Sequence, residues 1–497
     1  MIDAVVRETH AGLVLLVGDL AYKVKKPVRT AYLDFTTPAL RSAALRRELR
    51  LNRRLAPWPY LGIAHLSPPS LDDRDVEDRA GDPYRAAGEP VLVMRRMPED
   101  RRLSELLRTG APAEDALRAV ARLLVAFHAR ADRSVEIDAD GGRDALAARW
   151  EANLADITAQ RGTVLAPGLV DAVATGARRF LSGRGPLLAD RVARGRIVDG
   201  HGDLLADDVF CLDRGPQLLD CLDFDDRLRH VDVLDDAAFL VMDLERHDRP
   251  DLAAAFLDAY VEFSGDPAPP ALRHHYVAYR AGVRAKVACL RHAQGEPAAA
   301  VDAVAHAELA LRHLRAGEVR LVLVGGLPGT GKTTVATALA DRFGAVVLSS
   351  DRLRKELAGL DPGSPAGAGY AEGIYSPART EALHAELLHR AEVLLGRGES
   401  VVLDASWTSA TLRQRAGDLA RRTSSREVEL RCEADAALAR RRILERTGGP
   451  SDATPAIAAA MAAAADPWPT ATTIPTGGTV AAAVDRAAAA WRDGTGA

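Results

Sequence analysis

Residues 326–333, with the sequence GLPGTGKT, constrain the fold more strongly than any other part of the chain. They match the pattern G-x-x-x-x-G-K-[ST], whose glycines allow backbone N–H groups to turn inward and bind phosphate oxygens. Such a loop needs an apolar strand before it and a helix after it, and RLVLVGG and TTVATALADRF have these properties. The motif therefore predicts a nucleotide-binding loop at the start of an α/β domain, deep inside a chain of 497 residues.

The residues of this loop have distinct expected roles. Lys332 is expected to reach the β- and γ-phosphates of ATP, and the Thr333 hydroxyl is expected to bind Mg²⁺. The helix that starts here points its positive end at the phosphates. The predicted nucleotide contacts come from Gly326, Pro328, Gly329, Thr330, Gly331, Lys332, Thr333 and Thr334.

Two later strands of this region end in acidic residues. VVLSSDRLRKEL places Asp351 after one strand, with Arg352 and Arg354 behind it, and SVVLDASW places Asp404 after another. Ligands bind at the carboxyl ends of strands in an open α/β sheet, so these residues should meet the loop in one crevice. Asp404 is predicted to hold Mg²⁺, and Asp351 to accept the proton of a substrate hydroxyl. Arg352 is predicted to clamp substrate or phosphate. A helix cap for Asp351 and a solvated helix face for the arginines remain alternatives.

A later arginine-rich segment, ALARRRILERT, contains Arg440, Arg442 and Arg446. These residues could close over the phosphates as a lid, or they could occupy a solvated helix face.

The region from about 317 to 497 resembles the small P-loop kinases, such as gluconate kinase, chloramphenicol phosphotransferase, polynucleotide kinase and the zeta-toxin group. The loop, SSDRLRKEL and VVLDASW carry the resemblance. Independently of the resemblance, the alternation of helical segments with the strand-like runs RLVLVGG, AVVLSSD, SVVLDAS and EVELRCE predicts a doubly wound parallel sheet. The resemblance implies an AAA-type ATP-binding domain, and it names no substrate.

An earlier segment, IVDGHGDLLADDVFCLDRGPQLLDCLDFDD, resembles the catalytic segment of protein-kinase-like phosphotransferases, and among them the aminoglycoside phosphotransferase family. The resemblance implies that Asp203 accepts or orients the proton of a substrate hydroxyl. Asp208 stands where the family has a metal-binding Asn, and it can hold Mg²⁺ through oxygen with an extra negative charge. The second metal-binding acid is Asp220 by counting from the hairpin, or Asp223 by counting back from HVDVLDDAAFL.

A kinase-like fold also requires a Lys–Glu pair for the phosphates. DLAYKVKKP provides Lys23 and Lys25 on one strand face, of which Lys23 fits the pattern better, and ALRRELRLN provides Glu48 on the next helix. VLVMRRM, at 91–97, would cross between the lobes and bind adenine through its backbone. No Gly-rich phosphate loop is evident here, since only Gly12 is available.

A helical segment further on, YVAYRAGVRAKVACLRH, contains Tyr279, Arg280, Arg284 and Lys286. These side chains could line a substrate pocket, face the partner domain, or form a face that simply packs and is solvated.

The whole chain thus resembles a bacterial fusion of an aminoglycoside phosphotransferase-like domain with a P-loop kinase-like domain. We expect a mixed α/β and α+β fold, with a bilobal protein-kinase-like part followed by a doubly wound parallel sheet. The expected limits are 1–98 for the small lobe, 99–316 for the large helical lobe and 317–497 for the P-loop domain.

Composition narrows the function. The net charge of −4 gives no reason to expect nucleic acid or an anionic membrane as a partner. Four cysteines fit neither a disulfide framework nor a metal knuckle, and we find no secretory signal and no long apolar run, so a cytoplasmic protein is expected.

The expected activity is transfer of the γ-phosphoryl group of ATP, with Mg²⁺, to a hydroxyl of a small molecule such as a sugar or amino sugar. In an alternative, one domain is a weakly catalytic nucleotide sensor, and Asp208 makes the N-terminal half the candidate. A toxin-like or polynucleotide-end kinase is a third interpretation, and the oligomeric state stays open.

Overall fold

The computed structural model describes residues 4–8, 11–29, 33–66, 88–361, 372–446 and 451–493. Its contacts divide the chain into two compact units. The first comprises Met1–Asp156, Arg191–Pro267 and Tyr276–His306, and the second comprises Ile157–Asp190, Ala268–His275 and Ala307–Ala497. The domain limits expected from the sequence stay predictions.

The first unit begins with a five-stranded antiparallel sheet in the order β1-β2-β3-β5-β4. Its elements are β1 Ala4–Glu8, β2 Gly12–Val17, β3 Leu20–Lys25, α1 Pro38–Asn52, β4 Tyr60–Leu66 and β5 Glu89–Arg95. Gly18 adopts a φ of +57° in the two-residue turn between β2 and β3, a conformation that favours glycine in tight hairpins. The Thr37 hydroxyl caps α1 by accepting the Leu40 N–H, and Leu45 packs α1 against Leu92 of the sheet.

A mostly helical region follows along the chain, and its residues 157–190, 268–275 and 307–316 belong to the second unit. Its helices are α2 Leu103–Thr109, α3 Glu114–Arg130, α4 Val135–Gly141, α5 Arg143–Thr158, α6 Pro167–Gly183, α7 Gly185–Ala193, α8 Val233–Arg246, α9 Pro250–Ser264, α10 Pro270–Ala293 and α11 Ala299–Ala316. Its short strands are β6 Ile197–Asp199, β7 Val209–Leu212, β8 Gly215–Leu218 and β9 His230–Asp232, which pair as β6-β9 and β7-β8. The H-G-D segment therefore lies between β6 and the β7–β8 hairpin.

The second unit contains a five-stranded parallel sheet in the order β11-β12-β10-β13-β14. Its elements are β10 Arg320–Gly325, α12 Lys332–Phe343, β11 Val346–Ser349, α13 Ser350–Leu357, α14 Pro377–Gly396, β12 Val401–Asp404, α15 Ala410–Arg422, β13 Arg426–Glu433, α16 Ala436–Glu445, α17 Pro455–Ala463, β14 Thr472–Pro475 and α18 Val480–Asp493. Val335 and Leu339 of α12 pack with Trp491 of α18 against Val322 of the sheet. This core fixes the start of α12 at the carboxyl end of β10.

The predicted fold class is confirmed by these two sheets and by the helices between them. Strand β8 ends at Leu218, although the segment QLLDCLDF, which reads as a short strand-like run, extends beyond it. Asp220, two residues later, has a φ of +59°, which a regular strand cannot contain. In the part of the chain that the structure describes, we find no helix with the length and apolarity that a membrane crossing requires.

Glu427 provides a test of packing in the parallel sheet. It lies in β13 beside Leu321 of β10, and burial, with the neighbouring Glu429, raises its pKa to about 7. Its pKa in the unfolded chain is lower, so the folded protein retains a proton that the unfolded chain releases, and stability falls as the pH rises from about 4.3 to about 7.

We therefore expect Glu427→Gln to raise the melting temperature at pH 8 by about 2 to 4 °C and to change it little at pH 5. Calorimetry at both pH values checks this, with Glu445→Gln on the exposed side of α16 as the control. An equal shift at both pH values would contradict the account.

Candidate active sites

The loop between β10 and α12 has the backbone that phosphate binding requires. Gly326, Gly329 and Gly331 have φ values of +136°, +80° and +83°. A Cβ atom at Gly326 would lie 2.5 Å from the Cys432 carbonyl oxygen, and one at Gly329 would collide with the Ala439 carbonyl oxygen. Glycine is therefore required both for the left-handed backbone and for the close approach of neighbouring chains.

The side chains of this loop gather at the end of β12. The Thr333 hydroxyl donates a hydrogen bond of 2.8 Å to Oδ2 of Asp404. Lys332 Nζ donates to the Leu327 carbonyl oxygen at 3.3 Å. Burial raises the pKa of Asp404, against the attraction of Lys332 and the hydrogen bond from Thr333. The structure thus brings together the predicted lysine, hydroxyl and acid.

Two cavities meet at this point. The first, which we call the loop pocket, has a volume of about 430 Å³ and follows the loop and the start of α18, with Arg442 and Arg446 in its wall. The second, which we call the adjoining pocket, has a volume of about 400 Å³ and lies beside α13 and α14. Lys332 and Asp351 line both pockets.

The adjoining pocket has a mixed lining. Arg354, Tyr375 and His384 contribute polar groups, and Trp407 and Met461 contribute apolar surface. Its dimensions and composition suit a small polar molecule with some apolar area.

The arginines and Asp351 differ in placement. Asp351 lies in the first turn of α13, whose N-cap is Ser349, so its side chain does not cap the helix. Arg352 is exposed and absent from the lining of both pockets, whereas Arg354 lines the adjoining pocket and donates to the Ile374 carbonyl oxygen at 2.9 Å.

The later arginines also separate into two groups. Arg442 donates to the Thr476 carbonyl oxygen at 2.8 Å and to the Gly329 carbonyl oxygen at 3.5 Å, and so braces the loop. Arg446 lines the loop pocket without bracing it in this way, and Arg440 is exposed.

In the first unit, a buried carboxylate holds the loop that carries Asp203. Asp236 accepts the backbone N–H groups of His201 and Gly202, each at 2.8 Å, and a contact of 2.9 Å from His128 Nε2. Burial would raise the pKa of Asp236, but the hydrogen bond and charge of His128 keep it well below its usual range. This ionised carboxylate fixes the backbone immediately before Asp203.

The carboxyl groups of Asp203, Asp208 and Asp220 influence one another in the segment that follows. Burial raises the pKa of Asp203 and, more strongly, that of Asp208, and the charge of Asp220 raises both. The Leu219 N–H donates to the Asp208 carbonyl oxygen at 2.9 Å, which ties the two ends of the β7–β8 hairpin together. Asp203, Asp208 and Asp220 are thus close enough to repel one another.

A second charge network lies on β3 and α1. Glu48 is buried, and its two oxygens contact Lys23 Nζ at 2.7 Å and Lys25 Nζ at 2.8 Å. Lys23 lies 3.4 Å from Asp220, and Lys25 lies 3.5 Å from Asp223. Burial opposes ionisation of Glu48, but the two lysines lower its pKa to about 2. The structure therefore brings the predicted Lys–Glu pair beside both candidate metal acids.

Sequence reasoning missed Asp236, His128 and the equal share of Lys25 in the Glu48 pair. Asp236 directly precedes the apolar run AAFLVM of α8, and an acid next to a run that faces the helix core would have been a usable signal. His128 gave no such signal, because its partner is 108 residues away in the chain.

Within the described ranges, no group of three or more His, Cys, Asp or Glu side chains is arranged to hold a metal ion by itself. All four cysteines are buried free thiols. A cation at either site would need further oxygen ligands, such as phosphate and water, which is the usual coordination of Mg²⁺.

Comparison with known families matches residues 321–468 to a family model described as an AAA domain. The match includes the loop and the strands that precede Asp351 and Asp404, and it confirms the predicted resemblance of this region. The chain is also 46% identical over 489 residues to the uncharacterized proteins Rv2004c of Mycobacterium tuberculosis (strain ATCC 25618 / H37Rv) and Mb2027c of Mycobacterium bovis (strain ATCC BAA-935 / AF2122/97), which covers 98% of this chain and 95% of theirs.

Solved structures resemble each half. A gluconokinase from Sinorhizobium meliloti 1021 is 17% identical with a TM-score of 0.26, covering 35% of this chain and 90% of that one. Wild-type aminoglycoside 2'-phosphotransferase-IIIa, in its GDP complex, is 15% identical with a TM-score of 0.39, covering 63% and 92%. A choline/ethanolamine kinase family protein from Mesorhizobium loti is 17% identical with a TM-score of 0.37, covering 63% and 92%.

The loop geometry predicts that Gly329→Ala weakens binding of MgATP about tenfold or more, because the added methyl group would collide with the Ala439 carbonyl oxygen in addition to the cost of about 1 to 2 kcal/mol that a left-handed backbone imposes on a non-glycine residue. Titration of a fluorescent ATP analogue, in a Lys23→Met background that isolates this loop, checks the effect. Gly344→Ala is the matched control, because Gly344 also has a positive φ, of +64°, but a Cβ there meets nothing within 4 Å. Equal affinities for the two variants would show that the close approach at Gly329 is unimportant.

Proposed function

The chain belongs to the family of the mycobacterial protein Rv2004c, and we propose that it is an ATP-dependent phosphotransferase acting on a hydroxyl group of a small molecule. The observation that carries the proposal is the pair of side chains, Lys332 and Asp351, shared by the loop pocket and the adjoining pocket. A phosphate donor in the loop pocket and a hydroxyl in the adjoining pocket would meet there, as in-line phosphoryl transfer requires.

In the second unit, the role of each residue follows from its position in the site. Lys332 binds the β- and γ-phosphates, and the inward N–H groups of the glycine loop bind the remaining oxygens. Thr333 and Asp404 would hold Mg²⁺, because their hydroxyl and carboxylate oxygens lie side by side. The pKa of the buried Asp404 carboxylate is raised although Lys332 attracts it, so a further cation would stabilise its ionised form. When bound, the ion neutralises charge on the phosphates.

Asp351 takes the proton from the acceptor hydroxyl. As the new bond forms between the acceptor oxygen and the γ-phosphorus, the bond from that phosphorus to the bridging oxygen breaks and ADP leaves. The half-buried position of Asp351 between the two pockets supports this role.

In the first unit, we assign the same division of roles to different residues. Asp203 accepts the hydroxyl proton, and Lys23, held by Glu48, binds the α- and β-phosphates. Asp208 and Asp220 would hold Mg²⁺, because their mutual repulsion with Asp203 is relieved by a cation.

Asp220 is favoured over Asp223 as the second metal acid. Its charge acts on both Asp203 and Asp208, and its backbone conformation, with a φ of +59°, is the kind of strain found at functional sites. Asp223 instead lies 3.5 Å from Lys25, and its charge is not among those that raise the pKa of Asp208.

A second candidate function for the first unit is nucleotide sensing with little turnover. Asp208 favours it, because an acid in place of the family's Asn adds a charge to a crowded site, where burial and four neighbouring acids raise its pKa well above the usual range. In that case the second unit is the working kinase.

The proposal is tested by incubating the protein with MgATP and a panel of sugars, amino sugars, sugar acids and nucleosides, and detecting phosphorylated products by mass spectrometry. We expect Asp351→Asn and Asp203→Asn each to lower the formation of a distinct product about 10²- to 10⁴-fold, as loss of a general base does. Asp341→Asn, an exposed acid on α12, should behave as wild type.

The outcomes separate the candidates. A product sensitive to Asp351→Asn alone favours the nucleotide-sensing role for the first unit. Failure to phosphorylate any hydroxyl compound, or products that persist in both variants, would contradict the phosphotransferase proposal.

A further inference from the structure

Helix α10 is fixed against the loop that carries Asp203. Buried Arg280 forms a two-point ion pair with Asp235 of α8, at 2.7 Å from Nε and 2.9 Å from Nη2. Its Nη1 also faces the Gly202 carbonyl oxygen at 3.4 Å. Asp236, the neighbour of Asp235, accepts a hydrogen bond from the Gly202 N–H group, so α8 and α10 both contact this loop.

Arg284 lies one helical turn after Arg280 and therefore on the same face of α10. It is half-buried, and among the residues that the structure describes it has no hydrogen bond or ion pair within 4.0 Å. Its charge nevertheless lowers the pKa of both Asp203 and Asp243 against the effect of burial. Asp243 accepts the Ala206 N–H at 2.7 Å, so Arg284 lies near both ends of the segment 203–206.

The partial burial of Arg284 without a bonded partner among the described residues indicates a ligand. A half-buried guanidinium has lost part of its hydration, and here no carboxylate within bonding distance compensates for that loss. Its planar fork of N–H donors fits the two oxygens of a carboxylate or the oxygens of a phosphate. A cationic amine placed next to Arg284 would instead meet a like charge.

We propose that Arg284 binds the phosphoryl acceptor of the first unit, and that this acceptor carries an anionic group, a carboxylate or a phosphate, close to the reacting hydroxyl. The inference rests on the proposed function of this half, in which Asp203 receives the hydroxyl proton. It narrows the acceptor from hydroxyl compounds in general to hydroxy acids and phosphorylated alcohols, and it excludes amino sugars.

The experiment uses the full chain with Lys332→Ala, so that only the first unit can transfer phosphate. Initial rates are measured for matched acceptors that differ in charge: glycerol, glycerate and glycerol phosphate, and glucose, glucosamine and glucuronate. We expect the anionic members to be phosphorylated in preference to the neutral and amino members. The comparison of glycerate with glycerol phosphate distinguishes carboxylate from phosphate recognition.

Arg284→Met should then lower kcat/KM for the anionic acceptor on the order of 100-fold, mainly through KM, because a charged hydrogen-bond partner is lost. The KM for ATP and the rate with the neutral congener should stay within about threefold of the parent, a change below the tenfold that corresponds to 1.4 kcal/mol. Arg284→Lys should recover part of the affinity. Arg291→Met, which removes an exposed arginine paired with Glu296 on the same helix, should match the parent.

Two results would overturn the inference while the proposed function stands: preference for glucosamine or a neutral acceptor, or an Arg284→Met effect that is equal for anionic and neutral acceptors. The second result would mean that Arg284 only positions Asp203. If the Lys332→Ala protein binds ATP but phosphorylates none of these compounds, the catalytic role of the first unit fails and the inference fails with it.

Discussion

The cost of removing carboxylates from water is the constraint on which both sites depend. Burial raises the pKa of Asp208 and of Asp404, because removing a carboxylate from water is costly unless cations or N–H groups replace the water. Asp236 is a carboxylate whose lost water has been replaced, since two backbone N–H groups and His128 keep it ionised although it is fully buried. Among the residues that the structure describes, Asp203 and Asp208 accept no comparable set of hydrogen bonds, and this difference supports the proposal that a cation binds beside them.

The two units meet the same electrostatic demand with different secondary structure. In the second, the charge of a lysine at the first position of α12 acts on an acid at the end of β12, to which the next residue, Thr333, donates a hydrogen bond. In the first, lysines on β3 share one glutamate of α1, and Asp236 fixes the loop that carries the proposed base. Two lysines that contact one glutamate place more positive charge beside Asp220 and Asp223 than a single lysine would. No glycine-rich loop is evident in the sequence of this region.

Much of this arrangement could be predicted from local patterns. The loop motif and the strand–helix alternation specify the parallel sheet, because residues that define them are adjacent in the chain. The role of Asp236 could not be predicted in this way, and the sequence left Arg284 open between a substrate pocket, a face toward the partner domain and a solvated helix face, since both depend on α8 and α10 meeting one loop. The placement of Arg352 and Arg354 depends on the rotation of α13, which a short amphipathic pattern does not fix. The contact between Lys25 and Glu48 was within reach of the alternation rule, but a second lysine was not required by any motif.

The central claim, that one chain contains two separate nucleotide sites of unrelated fold, is tested most directly by the stoichiometry of nucleotide binding. Calorimetric titration with a non-hydrolysable MgATP analogue should show two sites per chain, one of which disappears in Lys332→Ala and the other in Lys23→Met. A single site in the wild-type chain, lost completely with Lys332→Ala, would contradict the account and leave the first unit without a nucleotide.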